Sequence, residues 1–241
     1  IHAGDMRKRL RTLLVGASAM IALGTMSACS GGTSTESSPT SAPATTSAAA
    51  TPAPLPASAR YMADMESDGK KMTIGISVDG TNVTAYACNG VDDEAWFFGN
   101  QSDGNIDITS RFRDTLKANF TTSDATGDLT MNGVNYTFTA AAVNDPAGMY
   151  TADFDGVRAS WVVRPGGSAV GVQFNGGISG RDFEQAELQQ LNAAQFQAQV
   201  RNKRLLQQAQ QLVRLQNGSF TSTINGHEVG ASLVTGNTRF S

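Results

Sequence analysis

The chain has 241 residues, of which 40% are hydrophobic and 16% charged, and its formal net charge at pH 7 is −3. A chain of negative net charge is a poor ligand for polyanions, so the composition argues against nucleic-acid binding as the main activity. The only two cysteines are Cys29 and Cys88, which excludes a disulfide-rich scaffold.

The N-terminal region has the pattern of an export signal. A short apolar run over residues 13–26 ends in small residues before Cys29, and it is preceded by four basic residues: Arg7, Lys8, Arg9 and Arg11. This order is typical of a secretory signal peptide. We expect residues 1–28 to be removed by cleavage between Ala28 and Cys29, and residues 1–5 to be an upstream extension outside the fold.

The segment Met26-Ser27-Ala28-Cys29 resembles the lipobox of bacterial lipoproteins, although the family's usual Leu is replaced by Met26. The resemblance implies that Cys29 carries the lipid, with palmitate among its acyl groups. Two alternatives stay open. The first is a transmembrane anchor, although the apolar run is shorter than the roughly 20 residues that an anchor needs. The second is a secretory signal that is cut without lipid attachment, in which case Cys29 has no special role.

After the expected cleavage, residues 29–58 form a region of low complexity that is rich in Ser, Thr, Ala and Pro. Without bulky apolar groups it cannot offset the entropy cost of ordering, so we predict a flexible linker. The removed residues carry a net charge of +3, and the remaining chain therefore carries −6. Cys88 would be the only thiol of the domain, which leaves it without an intramolecular disulfide partner.

Residues 59–180 show the two-residue hydrophobic period of half-buried strands. Pairs of Asn or Asp with Gly separate the alternating segments, and such pairs favour hairpin turns because both residues tolerate positive φ. They are Asp79-Gly80, Asn89-Gly90, Asp103-Gly104, Asn132-Gly133, Asp155-Gly156 and Asn175-Gly176. We therefore predict a mainly β fold, an antiparallel meander that closes into a small barrel or sandwich.

Two tryptophans raise the question of core or ligand surface. In a strand, Trp96 and Phe98 share one face and Phe97 lies on the other. Tryptophan in a small β-domain is more often a core residue, so we expect Trp96 and Trp161 in the core. A ligand platform at Trp96 is the alternative.

The acidic run Asp92-Asp93-Glu94 offers carboxylates for glycoside hydrolysis or cation binding. It lacks the alternating pattern of a calcium loop and lies in a predicted turn, so we expect solvated acids. Cys88 has no histidine near it in sequence, and we expect a buried thiol. We expect His227 to be an exposed strand residue. No catalytic, cofactor-binding or metal-binding residue is predicted.

Residues 181–216 contain neither Gly nor Pro and are rich in good helix formers. Acidic residues come early and basic residues late, which suits the helix dipole. We predict one long amphipathic helix that either lies across its own domain or binds an envelope partner or a second copy. Residues 217–241 should form a terminal hairpin and tail, because Asn217-Gly218 ends the helix and Asn225-Gly226 marks a turn.

The overall plan of lipobox, low-complexity spacer and compact β-domain resembles the secreted lipoproteins of mycobacteria and other actinobacteria, many of them of unassigned activity. The resemblance implies a location on the extracytoplasmic face of the cell membrane, with the membrane itself as a partner through Cys29. We expect a binding or assembly module that is not an enzyme and needs no cofactor. An envelope hydrolase with an unrecognised site and a lipid carrier are the alternatives.

Overall fold

The computed structural model describes residues 55–240. Its first eight strands form one antiparallel sheet with the order β4-β3-β2-β1-β8-β7-β6-β5. Their bounds are β1 (Ser58–Ser67), β2 (Lys70–Asp79), β3 (Asn82–Cys88), β4 (Glu94–Asn100), β5 (Asn105–Thr109), β6 (Thr115–Phe120), β7 (Asp124–Met131) and β8 (Val134–Val143). Because the edge strands β4 and β5 approach each other where Gly99 meets Ile108, the sheet is a nearly closed barrel.

A second antiparallel sheet of seven strands forms a half-barrel with the order β12-β11-β10-β9-β15-β14-β13. Its strands are β9 (Gly148–Phe154), β10 (Val157–Val163), β11 (Ala169–Phe174), β12 (Leu206–Gln208), β13 (Val213–Arg214), β14 (Phe220–Ile224) and β15 (His227–Leu233). The predicted mainly β, barrel-like fold is confirmed. The predicted terminal hairpin also forms, and it joins this sheet by pairing β15 with β9.

The barrel interior is filled by the alternating side chains that the sequence pattern indicated. Tyr61, Ile74, Phe97, Leu116 and Leu129 are all completely or almost completely buried there. A separate apolar cluster lies between the barrel and the second sheet and includes Tyr86, Cys88, Met149 and Val162. Close approach of the two sheets requires glycine at position 75, because a Cβ there would lie 2.5 Å from the side chain of Met149.

The predicted turn residues adopt the backbone conformations that their chemistry favours. Asn132 and Gly133 both have positive φ (50° and 74°), as do Asn225 and Gly226 (48° and 84°). This is the pattern of two-residue hairpin loops whose twist matches that of the flanking strands. The hairpins at these pairs, and the one at Asp79-Gly80, therefore form as predicted.

The predicted long helix over residues 181–216 is wrong. The segment contains α1 (Gly180–Leu188), α2 (Ala193–Gln199) and a single 3₁₀ turn (Arg201–Lys203), and then enters the second sheet as β12 and β13. Asn192 interrupts the helix by capping α2 in a reciprocal pair of hydrogen bonds with Gln195. Tertiary contacts override helix propensity here, since the bend buries Phe196 against Phe112 and Phe183. No helix of residues 55–240 is long and apolar enough to span a membrane.

Residues 181–216 therefore offer no long helical arm, either to lie across the domain or to bind a partner. Residues 59–180 also do not form a complete domain by themselves. Strands β12 to β15 all come from the chain after Gly180 and complete the second sheet. The domain therefore extends from β1, whose first residue is Ser58, to the residues after β15.

Candidate functional site

The lipidation and cleavage residues Cys29 and Ala28 lie outside the described residues, so the lipid anchor stays a prediction. Cys88 is completely buried in the cluster between the two sheets. Burial raises the pKa of its thiol to about 12, which keeps it protonated and a poor nucleophile. The predicted buried thiol is confirmed. His227 is exposed as predicted, and its ring stacks on Phe154 with centroids 4.3 Å apart.

The acidic run is organised by the side chain of Asn89. The Oδ1 atom of Asn89 accepts hydrogen bonds from the backbone N–H groups of Val91, Asp92 and Asp93. This holds the loop between β3 and β4 so that Asp92 is exposed, whereas Asp93 and Glu94 point inward. The expectation of solvated acids is therefore wrong for Asp93, whose side chain is 13% exposed, and for Glu94, which is buried.

Asp93 is held by two arginines that follow α2. The Nη2 atoms of Arg201 and Arg204 lie 2.8 Å and 2.9 Å from its Oδ1. Arg201 also lies 3.2 Å from the buried carboxylate of Asp114. We call these four residues the ion-pair cluster. Buried charges of this kind persist only when they are paired, and the cluster therefore fixes the 3₁₀ turn against the barrel.

The cluster could not be predicted from the sequence because its arginines lie more than 100 residues from Asp93. The long-helix prediction assigned Arg201 and Arg204 to the late, basic part of one helix, and no signal in the sequence names their partners.

Glu94 is the first residue of β4 and lies beneath the loop. The hydroxyl of Tyr86 donates a 2.7 Å hydrogen bond to its Oε2, and Arg204 donates a 2.7 Å hydrogen bond to its backbone oxygen. Burial is the main cause that raises the pKa of this carboxyl to about 7. A buried carboxyl that exchanges its proton near neutral pH is a frequent feature of functional sites.

Glu94 lines a cavity of about 390 Å³, which we call the aromatic pocket. The pocket lies at the strand β4 edge of the barrel and is closed by the loop after β5, by β10 and β11, and by the end of the described chain. Its lining combines aromatic and polar side chains: Trp96, Phe98, Phe112, Phe174, Phe240, Glu94, Ser110, Arg111, Arg158 and Arg204. The volume is within the usual range of small-ligand sites, roughly 300–1,000 Å³.

Trp96 packs against the apolar cluster between the sheets and also lines this pocket, so its predicted core position is only partly correct. It is half-buried and packs on Tyr86 and Phe98 with ring centroids 4.5 Å and 5.9 Å away. Trp161, by contrast, is 2% exposed and donates its Nε1 hydrogen bond to the Gln210 carbonyl, which confirms its predicted core role. The difference arises because Trp161 lies on β10 inside the half-barrel, where Phe220 and Ile224 belong to the same buried cluster, whereas Trp96 has one side open to the pocket.

Two nitrogen atoms of the pocket residues are buried and make no hydrogen bond within residues 55–240: Nε1 of Trp96 and Nε of Arg158. The Nε of Arg158 itself lies 3.0 Å from Oδ1 of Asp153 in an ion pair, so of the two only Nε1 of Trp96 is without a polar partner among the described residues. Buried donors without acceptors are rare in folded proteins because each costs free energy. Nε1 of Trp96 is such a donor, and it belongs to a residue that lines the pocket.

The described residues also form two larger, open clefts. One, of about 810 Å³, lies beside the loops that follow β4 and β6. The other, of about 760 Å³, lies on the other side of the ion-pair cluster, where the exposed Lys70 and Lys71 contribute to its rim. Among the residues that the structure describes, no group of three or more His, Cys, Asp or Glu side chains is placed to hold a metal ion. The aromatic pocket is thus the candidate site with the most convergent chemistry.

Comparisons with protein-family models, with curated proteins and with solved structures found no match for this chain. The proposed function therefore rests on the lipobox-like signal in the sequence and on the geometry of the pocket.

Proposed function

We propose that this chain is a lipid-anchored binding module of the cell envelope, held at the extracytoplasmic face of the membrane through Cys29. Its ligand would enter the aromatic pocket. The observation that carries the binding role is the lining of that pocket, where aromatic side chains surround a buried carboxyl and include Trp96, whose Nε1–H has no hydrogen-bond acceptor within the described chain. Apolar walls with a few convergent polar groups are the usual composition of a ligand site.

The charge of the lining indicates what the ligand should carry. Arg204 is neutralised within the ion-pair cluster and Arg158 is paired with Asp153. Arg111 is exposed, and its guanidinium lies 4.1 Å from the centre of the Phe183 ring rather than beside a carboxylate of the described residues. An acceptor-rich or acidic group on the ligand would therefore meet Arg111, while an apolar ring would meet the aromatic walls.

A hydrolase is the second candidate, because the pKa of Glu94 near 7 suits a general acid or base. Glycoside hydrolysis requires a second carboxyl across the substrate, and Glu94 is the only acid that lines this pocket among the described residues. A binding role does not require a second carboxyl, and we therefore favour it over hydrolysis. The two candidates differ in one outcome: Glu94→Gln abolishes turnover in a hydrolase, whereas a binding module releases no product with or without the Glu94 carboxyl.

The lipid-carrier alternative requires a large apolar cavity. The barrel interior is instead filled by residues such as Phe97 and Leu129, both completely buried. We therefore favour a ligand that places one compact group in the pocket over a membrane lipid.

The proposal is tested by native mass spectrometry of the protein isolated from its own envelope in a mild detergent. We expect a bound species of defined mass that Arg111→Glu removes. Arg113→Glu is the matched control: Arg113 lies in the same loop, but it packs on Phe196 and does not line the pocket. Loss of the species in both variants, or its persistence in Arg111→Glu, would contradict the assignment of the pocket as the binding site.

A further inference from the structure

The described chain ends with a segment that adds no strand to either sheet, residues 235–240, which we call the tail. It crosses the outer surface of β2 to β4. Arg239 fastens it through hydrogen bonds to the Thr84 hydroxyl at 2.9 Å and to the Gly99 carbonyl at 2.9 Å. The attachment rests on side chains rather than on a strand ladder, so the tail is the part of the domain whose removal leaves both sheets complete.

The tail places the ring of Phe240 against the open side of Trp96. The two rings are perpendicular with centroids 4.7 Å apart, and Phe98 makes a second perpendicular contact at 5.5 Å. The guanidinium carbon of Arg158 lies 3.5 Å from the centre of the Phe240 ring. Two aromatic edges or faces and one cation thus form a three-sided slot for a ring, and these are the geometries in which such groups attract one another.

The slot is not filled completely by its present occupant. Phe240 is only half-buried, and the 390 Å³ of the aromatic pocket remain free beside it. Trp96 forms one side of the slot, and its Nε1 has no hydrogen-bond acceptor within residues 55–240; a hydrocarbon ring offers it no strong acceptor. An occupant that brings both a ring and nearby carbonyl or acidic oxygens would satisfy this group.

We infer that this slot is a docking site for an aromatic side chain on an extended peptide segment of a partner protein, and that Phe240 occupies it in the absence of that partner. The inference rests on the proposed binding function and names the chemistry of its ligand. The contacts of Phe240 indicate that the partner segment carries an aromatic residue. The contacts of Arg239 indicate that the residue before it in that segment can donate hydrogen bonds to Thr84 and Gly99. A tethered segment competes at high effective concentration, so the partner must displace the tail.

The test uses the full-length protein and a fluorescein-labelled peptide with the sequence of residues 235–240, capped at both ends. We expect Phe240→Ala protein to bind this peptide at least about tenfold more tightly than the wild type does, because the intramolecular competitor is gone. A peptide with Ala in place of its Phe should not bind. Fluorescence anisotropy measures both, and circular dichroism checks that the variant is folded.

Two double variants, each with a further substitution added to Phe240→Ala, test whether the peptide binds in the slot. Phe98→Ala should abolish binding by removing one wall of the slot. Phe154→Ala is the matched control, since Phe154 is a half-buried aromatic residue that packs on His227 outside the slot, and it should leave the affinity unchanged.

Three results would overturn the inference: no peptide binding by folded Phe240→Ala protein, equal binding by that variant and the wild type, or equal binding of the Ala peptide. A wild-type dimer in sedimentation that Phe240→Ala dissociates would also overturn it, because the slot would then receive the tail of a second copy. If the native-envelope species responds to Arg111→Glu while the peptide fails, the binding function stands and only this ligand chemistry is wrong.

Discussion

Glu94→Gln should change the pH dependence of stability by removing a buried ionisation. Gln has nearly the volume of Glu and keeps an oxygen that accepts the hydrogen bond from the Tyr86 hydroxyl. The pKa of Glu94 is about 7 in the folded protein, against an ordinary value of 4.5. Because the folded state binds this proton more tightly, Glu94 adds stability at low pH, and that contribution is lost as the pH rises from 4.5 through 7.

The size of the effect is given by the two pKa values. Each step of one in pKa corresponds to about 1.4 kcal/mol, so ionisation of Glu94 costs the folded state about 3 kcal/mol between pH 4 and pH 8. Gln carries no such cost. At pH 4, Glu94→Gln should be less stable than the wild type because it buries an extra amide N–H group. From pH 4 to pH 8, its free energy of unfolding should rise by about 3 kcal/mol relative to that of the wild type.

The measurement is urea denaturation followed by circular dichroism at pH 4, 6 and 8. The exposed Glu66 on β1 supplies the control, because Glu66→Gln removes one charge without removing a buried carboxyl. A stability difference between Glu94→Gln and the wild type that is the same at pH 4 and pH 8 would refute the reasoning. Such a result would mean that water reaches the carboxyl and that the pocket is more open than its lining indicates.

Three further predictions concern the anchor, the ion-pair cluster and the buried thiol. Cys29→Ser should block lipid attachment and shift the protein from the membrane to the soluble fraction on immunoblots, and unchanged membrane retention would contradict lipidation. Arg201→Met should lower the free energy of unfolding by about 3–5 kcal/mol because Asp93 and Asp114 lose a buried partner, whereas Lys203→Met, at a surface ion pair with Asp182, should cost at most about 1 kcal/mol in the same chemical denaturation. Cys88 should react with a thiol reagent only at the rate of global unfolding, and rapid labelling of the native protein would show that it is accessible.

Local sequence patterns were sufficient where neighbouring residues decide the structure. The hairpins at Asn132-Gly133 and Asn225-Gly226 form because these residues tolerate positive φ, and the alternating strands are indicated by a period of two. Both signals lie within a few residues of the element they specify. Trp161 and Cys88 also lie at the predicted buried positions, on strands that are buried on both faces.

Residues 181–216 show where local preference failed. Their composition favours one helix, but a long helix would leave Phe196 without its contacts to Phe183 and would keep Arg201 away from Asp93. Burying these groups against the barrel stabilises the chain more than additional helical turns do, since an isolated helix gains little without packing. The segment therefore bends at Asn192, and its last part becomes edge strands of the second sheet.

The sequence by itself therefore supports two expectations, an envelope location and a mainly β fold. Each rests on a pattern of neighbouring residues, the lipobox in one case and the two-residue strand period in the other. The aromatic pocket was decided only by tertiary structure. It joins Glu94 and Trp96 to Arg158 and Phe240, residues that lie up to 146 positions apart in the chain. The inward turn of Glu94 and the open face of Trp96 depend on how closely the second sheet covers the barrel, and that distance is set by packing between segments that no local pattern connects.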